Sequence, residues 1–343
     1  MNGFWLLIAA FMAFLTTCLL GKKLIPFLHK IKYGQPILED DGPSWHKSKQ
    51  GTPTMGGITF IIGVILSSVA CILAYFFSVN VAQKDLVIMQ VKIFAGLGMA
   101  LCYGILGFLD DYIKVIKKRN LGLKAKQKLF FQFLIAAMYL TSIYIVKKCY
   151  GKIDITFIEI PFLGTYDFGI FYWIIAAIMI AGIVNAVNLT DGIDGLNGSV
   201  TFFNGIFLTI IAIILNMPEF SIISVCLSGG CLGFLVWNFY PAKIFMGDTG
   251  ALFLGGMICA IVFGFDKPLL LVPIGLVYLL EMFSVMLQVI YFKITKGKRI
   301  LKMSPIHHHF EMCGWKESKI CLIFSTVAIF GGIIALLYVK FLA

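Results

Sequence analysis

Residues 168–195 read FGIFYWIIAAIMIAGIVNAVNLTDGIDG, with no charged side chain between Asp167 and Asp191. About 20 apolar residues in helical form cross the hydrocarbon core of a bilayer. This stretch is that long before it ends in Asn185, Asn188, Asp191 and Asp194, at every third position. Such a stripe drifts by about 60° per step on an α-helix, and Gly192 and Gly195 break the helix part-way. The reading is a membrane span that closes in an open turn, with amides and carboxylates converging on one pocket. The plainer alternative is a polar loop with turn glycines, but amides this deep in an apolar run are expensive.

The same pattern recurs along the chain. Of its 343 residues 60% are hydrophobic and 13% charged, with a mean hydropathy of +0.94. That excludes a soluble globular enzyme, a disordered chain, collagen and a coiled coil. Span-length runs lie near 3–21, 54–79, 92–113, 129–146, 168–187, 199–216, 220–239, 250–265, 269–293 and 320–342. The expected fold is an all-α polytopic membrane protein of about ten transmembrane helices, one integral membrane domain over 1–343. The run from Phe4 to Leu20 lacks a basic leader and a small-residue cleavage site, and reads as a retained span.

A net charge of +11 would point to nucleic acid in a soluble protein. Here three-quarters of the 28 Lys and Arg sit in alternate connectors, which places those connectors inside and both termini outside, on the periplasmic face. The expected partner is the lipid bilayer, with no nucleic acid. Connector 147–167 alternates Ile153, Ile155 and Phe157 with Asp154 and Thr156, predicting a short outer β-hairpin near 152–162. The nine cysteines show no metal spacing. Cys18, Cys71, Cys102, Cys226, Cys231, Cys259 and Cys321 lie in apolar runs and read as small buried hydrophobes without a disulfide framework.

Further polar clusters stand at the inner ends of spans. Asp110 and Asp111 close the third span, and adjacent carboxylates there need a cation. Lys114, one helical turn on, supplies it or meets a phosphate. Asn238 ends the seventh span, and Asp248 opens the eighth in Phe245-Met246-Gly247-Asp248-Thr249-Gly250. Asp248 is either a helix N-cap or a ligand for Mg²⁺, a hard cation that bridges carboxylates to phosphates. His307, His308 and His309 are consecutive, which argues against a tetrahedral zinc site and for a diphosphate or a proton transfer. The stretch from Lys47 to Gly57 is cationic and glycine-rich. Glu281, deep in the ninth span, is a functional suspect by its position alone and is left unassigned. Together the five Asp, the His and the basic loops describe a divalent metal holding a phosphorylated substrate at one membrane face.

Thr52-Pro53-Thr54-Met55-Gly56-Gly57, Asp110-Asp111, Asn185 through Gly195, Phe245 through Gly250 and Pro305-Ile306-His307-His308-His309-Phe310-Glu311 together resemble the polyprenyl-phosphate N-acetylhexosamine-1-phosphate transferases. The resemblance runs the length of the chain. The triple His followed by Phe-Glu favours the members that use UDP-MurNAc-pentapeptide. It implies transfer of phospho-MurNAc-pentapeptide to undecaprenyl phosphate, giving lipid I and UMP with Mg²⁺, at the cytoplasmic face of the bacterial inner membrane. It also implies a homodimer.

On that resemblance Asp110, Asp111, Asp248 and His307 form the catalytic set. Asp248 binds Mg²⁺, with Asp110 and Asp111 as further candidate ligands. Asp110 takes or orients the lipid-phosphate proton before direct attack, and Asp111 sets the local charge. Asn188, Asp191, Asp194 and Asn238 line the nucleotide and sugar-phosphate pocket. Lys49, Lys114 and Lys126 contact phosphates, and His308 meets the diphosphate or sugar. Thr54, Asn185, Phe245 and His309 complete the substrate-facing set. Two other readings compete: a UDP-GlcNAc transferase starting a different lipid-linked glycan, and a transporter. Transporter sites lie near the bilayer midplane, whereas these acids cluster at one face.

Overall fold

The computed structural model describes residues 3–30, 49, 51–78, 83–117, 122–151, 155–161 and 163–342. Ten helices among them are long and apolar enough to cross a membrane, as the hydropathy pattern leads one to expect. They are α1 (Gly3–Lys30), α2 (Gly57–Ser78), α3 (Gln83–Ile116), α4 (Ala125–Val146), α5 (Ile170–Thr190), α6 (Leu196–Ile214), α7 (Pro218–Asn238), α8 (Gly247–Gly264), α10 (Leu276–Ile294) and α12 (Glu317–Leu342). Two short helices are added, α9 (Leu271–Ile274) and α11 (Ile306–Met312).

Helix α8 is the axis of the bundle, enclosed over almost its whole length and packed on α3, α5 and α2. Its small residues make this possible. A Cβ on Gly255 would overlap Val184 of α5, one on Gly256 would overlap Ala100 of α3, and one on Gly57 of α2 would overlap Gly250. Without a hydrophobic driving force between helices in lipid, such close backbone approach is what holds them together. The outer helices leave long apolar side chains exposed, among them Phe11 on α1, Phe130 on α4 and Phe283 and Ile290 on α10, the lipid-facing surface.

One expectation is met with shifted bounds and two are corrected. The expected hairpin pairs β1 (Phe157–Ile160) with β2 (Gly164–Asp167), Phe157 opposite Asp167 and Ile160 opposite Gly164. Its strand β1 falls within the expected 152–162 and β2 just beyond it, while 152–154 and 162 fall outside the described residues. Pro161 lies in its turn, and β2 is exposed at all four positions, so no alternation marked it in the sequence. The ninth run, 269–293, is not one helix. A 3₁₀ turn over Pro268–Leu270 and α9 precede Gly275, after which α10 begins at Leu276. Hydropathy cannot register a break whose surroundings are equally apolar. Third, Cys102 is exposed and Cys18 half-buried, while Cys71, Cys226, Cys231, Cys259 and Cys321 are buried.

Candidate active site

The ends of α3, α5, α7 and α10 and the starts of α2, α4, α6, α8 and α12 meet at one end of the bundle, where alternating chain direction puts them. Asp110 and Asp111, in the last turns of α3, face Asp248, in the first turn of α8. One carboxylate oxygen from each lies within 4.8 Å of the others.

Within this triad the three acids are held differently. Asp111 is fully buried, and both its oxygens serve the start of α8. Oδ1 accepts from the Asp248 backbone N–H at 3.2 Å, and Oδ2 from the Thr249 N–H at 2.9 Å and the Thr249 hydroxyl at 2.7 Å. The cap of α8 therefore comes from another helix; Asp248 is not its N-cap. Satisfying orphan N–H groups with a carboxylate at a helix N-terminus is favourable on both hydrogen-bond and dipole grounds. Asp110 accepts from the Leu123 N–H at 2.8 Å and pairs with Lys114 Nζ at 2.6 Å.

Asp248 is the hub. Asn188 Nδ2 donates to its Oδ1 at 2.8 Å. Lys114 and Lys128 approach its Oδ2 at 3.0 and 2.8 Å, and Lys128 also donates to Asn188 Oδ1 at 3.4 Å. Asp191 stands beside this group. Desolvation, reinforced by the Asp248 and Asp111 carboxylates, raises its carboxyl well above the usual range, against a backbone hydrogen bond from Gly247.

A second cluster lies on the same end. Lys49 Nζ meets Asp194 Oδ1 and Glu317 Oε2, both at 2.7 Å. Glu317 also accepts from the Asp194 N–H at 2.8 Å, and Asp194 Oδ2 accepts from the Ala242 N–H at 2.8 Å. Burial works against the Lys49 charge, but the hydrogen bonds to Asp194 and Glu317 hold its pKa above the ordinary lysine value. Asn238 joins the adjacent loops, donating to Ile244 O at 2.9 Å and accepting from the Gly195 N–H at 3.1 Å. Thr54 is buried, and Phe245 bonds through its backbone to Pro53 and Gly56.

Not every predicted residue arrives at these clusters. Asn185 is spent on Gln132, donating at 2.6 Å and accepting at 3.1 Å, which ties α5 to α4 within the bundle. Lys126 is exposed, and Lys128, one half-turn further along α4, is the residue that reaches Asp248. The helical pitch decides between them, and the sequence carried both. Glu317 was missed as well: it opens the last span with nothing to mark it. The histidines on α11 point three ways. His307 is fully buried beside Glu281, His308 Nδ1 lies 2.5 Å from Glu311 Oε2, and His309 Nδ1 accepts from the Lys302 N–H at 3.1 Å.

An acidic triad whose oxygens could hold a metal ion thus stands at one end of the membrane bundle, bracketed by two lysines. The model for glycosyl transferase family 4 matches residues 93–265, which carry Asp110, Asp111, the Asn185–Gly195 turn and Asp248. The phospho-N-acetylmuramoyl-pentapeptide-transferase signature 1 matches residues 49–61. Proteins named phospho-N-acetylmuramoyl-pentapeptide-transferase align along nearly the entire chain. The one from Caldicellulosiruptor bescii is 40% identical over 335 residues, 97% of either chain. That from Halalkalibacterium halodurans is 42% identical over 96% of either chain, and that from Bacillus thuringiensis 44% identical over 94%. The chain belongs to the phospho-N-acetylmuramoyl-pentapeptide transferase family and is a multi-pass membrane transferase.

Proposed function

We propose that this enzyme transfers phospho-MurNAc-pentapeptide from UDP-MurNAc-pentapeptide to undecaprenyl phosphate, releasing UMP and forming lipid I in peptidoglycan synthesis. The observation that carries the reading is Asp248, shared by Lys114, Lys128 and Asn188 beside Asp110. The triad suits Mg²⁺: three hard carboxylate oxygens lie close together, and Mg²⁺ is bound through few carboxylates plus substrate phosphates. Asp248 and Asp110 would hold the ion, and Asp111, whose oxygens are engaged on α8, supports Asp248. When bound, Mg²⁺ neutralises the diphosphate and stabilises the leaving UMP.

The chain's own residues account for the remaining steps. Lys114 and Lys128 sit where phosphate oxygens enter, exchanging carboxylate partners for phosphate. Asp110 orients the lipid phosphate and takes its residual proton, so that a lipid oxygen attacks the β-phosphate of the donor directly. Asn188 keeps Asp248 oriented. Asp191, Asp194, Asn238, Lys49 and Phe245 flank the nucleotide and sugar, and His307 and His308 serve the diphosphate end. The exposed apolar row of α10 offers the prenyl chain a path to the site. The enzyme works in the bacterial inner membrane with this site cytoplasmic, as a homodimer.

The test is UMP release by detergent-purified protein given undecaprenyl phosphate, UDP-MurNAc-pentapeptide and Mg²⁺. Release is expected, abolished by chelation, and reduced on the order of a thousandfold in Asp248→Asn. Turnover of UDP-GlcNAc instead would overturn the substrate assignment. A radiolabelled phospho-protein trapped with the nucleotide substrate alone would replace direct attack by a double displacement.

A further inference from the structure

Glu281 lies within α10, is completely enclosed and has no part in the chemistry above. A carboxylate in the interior of a membrane bundle is expensive unless something meets it. What meets it is His307 Nδ1, 3.1 Å from Oε1. The approach is not aligned as a hydrogen bond. Both oxygens of Glu281 and both ring nitrogens of His307 lack a hydrogen-bond partner. Four orphaned polar atoms in one contact are a cost that packing alone does not explain.

The other edge of the imidazole identifies what the contact does. A Cβ on Gly192 would overlap His307 Nε2, so the ring occupies the space that any side chain at position 192 would need. Gly192 follows Asp191 in the turn after α5, and Asn188, at the base of that turn, holds Asp248. The neighbouring His308 ring, on the same helix, lies against His307 with centroids 4.1 Å apart. A continuous path of contacts thus leads from α10 through α11 to the acidic cluster.

We propose that Glu281 is a positioning residue for the transfer reaction. Acting through His307, it seats the imidazole against the Asp191–Gly192 turn and so fixes that turn relative to Asp248. The inference rests on the proposed function of the site, because it assumes that His307 and this turn serve the transfer. A small misplacement at a reacting centre is worth about a hundredfold in rate, which sets the size of the expected effect. A residue that merely fills space would behave otherwise: a neutral isostere at a buried charge is often tolerated or stabilising.

The experiment is a double-mutant cycle on the full-length protein in detergent, reading kcat, KM for the nucleotide donor and melting temperature. Glu281→Gln should keep its melting temperature and KM while kcat falls about a hundredfold. Glu281→Asp, which keeps the charge, should recover part of that loss. Combined with His307→Gln, Glu281→Gln should cost nothing further, because residues acting in series are not additive. Wild-type kcat in Glu281→Gln, or losses that add to those of His307→Gln, would overturn the proposal. If Glu281→Gln does not fold, the Glu281→Asp cycle with His307→Gln decides by the same additivity. If the wild type uses a different nucleotide sugar, the assigned substrate fails while the cycle, run on that donor, still decides the role of Glu281.

Discussion

At the residue scale the sequence separates kinds of side chain better than it separates neighbours. Asp248 stands out in its motif, and the structure makes it the point where α3, α4, α5 and α8 exchange charge. Lys126 and Lys128 are indistinguishable in a basic loop, yet only Lys128 reaches Asp248, at 2.8 Å. Lys128→Ala should therefore lower kcat by about a hundred- to a thousandfold, the scale of one stabilising group at a developing charge. Lys126→Ala should leave steady-state UMP release near the wild-type rate. Equal losses in the two variants would show that Lys126 reaches the substrate after all. Asn185 teaches the same point: its spacing with Asn188 and Asp191 is regular, but helical drift turns it towards Gln132 on α4.

At the scale of elements, the site depends on how closely α3 and α8 approach. Gly107 is one helical turn before Asp110 and Asp111, on the same face of α3. A Cβ there would overlap the Asp248 carbonyl. The missing side chain lets α3 come near enough for Asp111 to cap α8. Gly107→Ala should destabilise the protein by about 1–3 kcal/mol, as overpacking against rigid backbone does. Its melting temperature in detergent should fall, and UMP release should fall with it because the Asp111 cap is displaced. Unchanged melting with intact turnover would mean that the two helices can separate at no cost. Nothing local in the sequence gives Gly107 a use, since its partner lies far along the chain.

For the whole molecule, alternating helix direction gathers Asp110, Asp111, Asp191, Asp194 and Asp248 at one end and the hairpin at the other. Cys313, after α11, and Cys149, after α4, are both exposed and lie near these opposite ends. On the proposed orientation, with the site cytoplasmic as the distribution of Lys and Arg supports, a membrane-impermeant maleimide on intact spheroplasts should label Cys149 and spare Cys313. Permeabilised membranes should label both. Labelling of Cys313 alone in intact spheroplasts would invert the topology.

The number of spans, the membrane setting, the family and the clustering of candidate site carboxylates at span ends were legible in the chain alone. Hydropathy and clustered carboxylates are local properties, and a span of about 20 residues is fixed by bilayer thickness. The broken ninth run, the start of α10 at Leu276, the pairing of Glu317 with Lys49 and the seating of His307 between Glu281 and Gly192 were decided only in three dimensions. Each depends on which residues distant in sequence come within a few ångströms. In an apolar chain that is governed by close helix packing at small residues, to which hydropathy is blind.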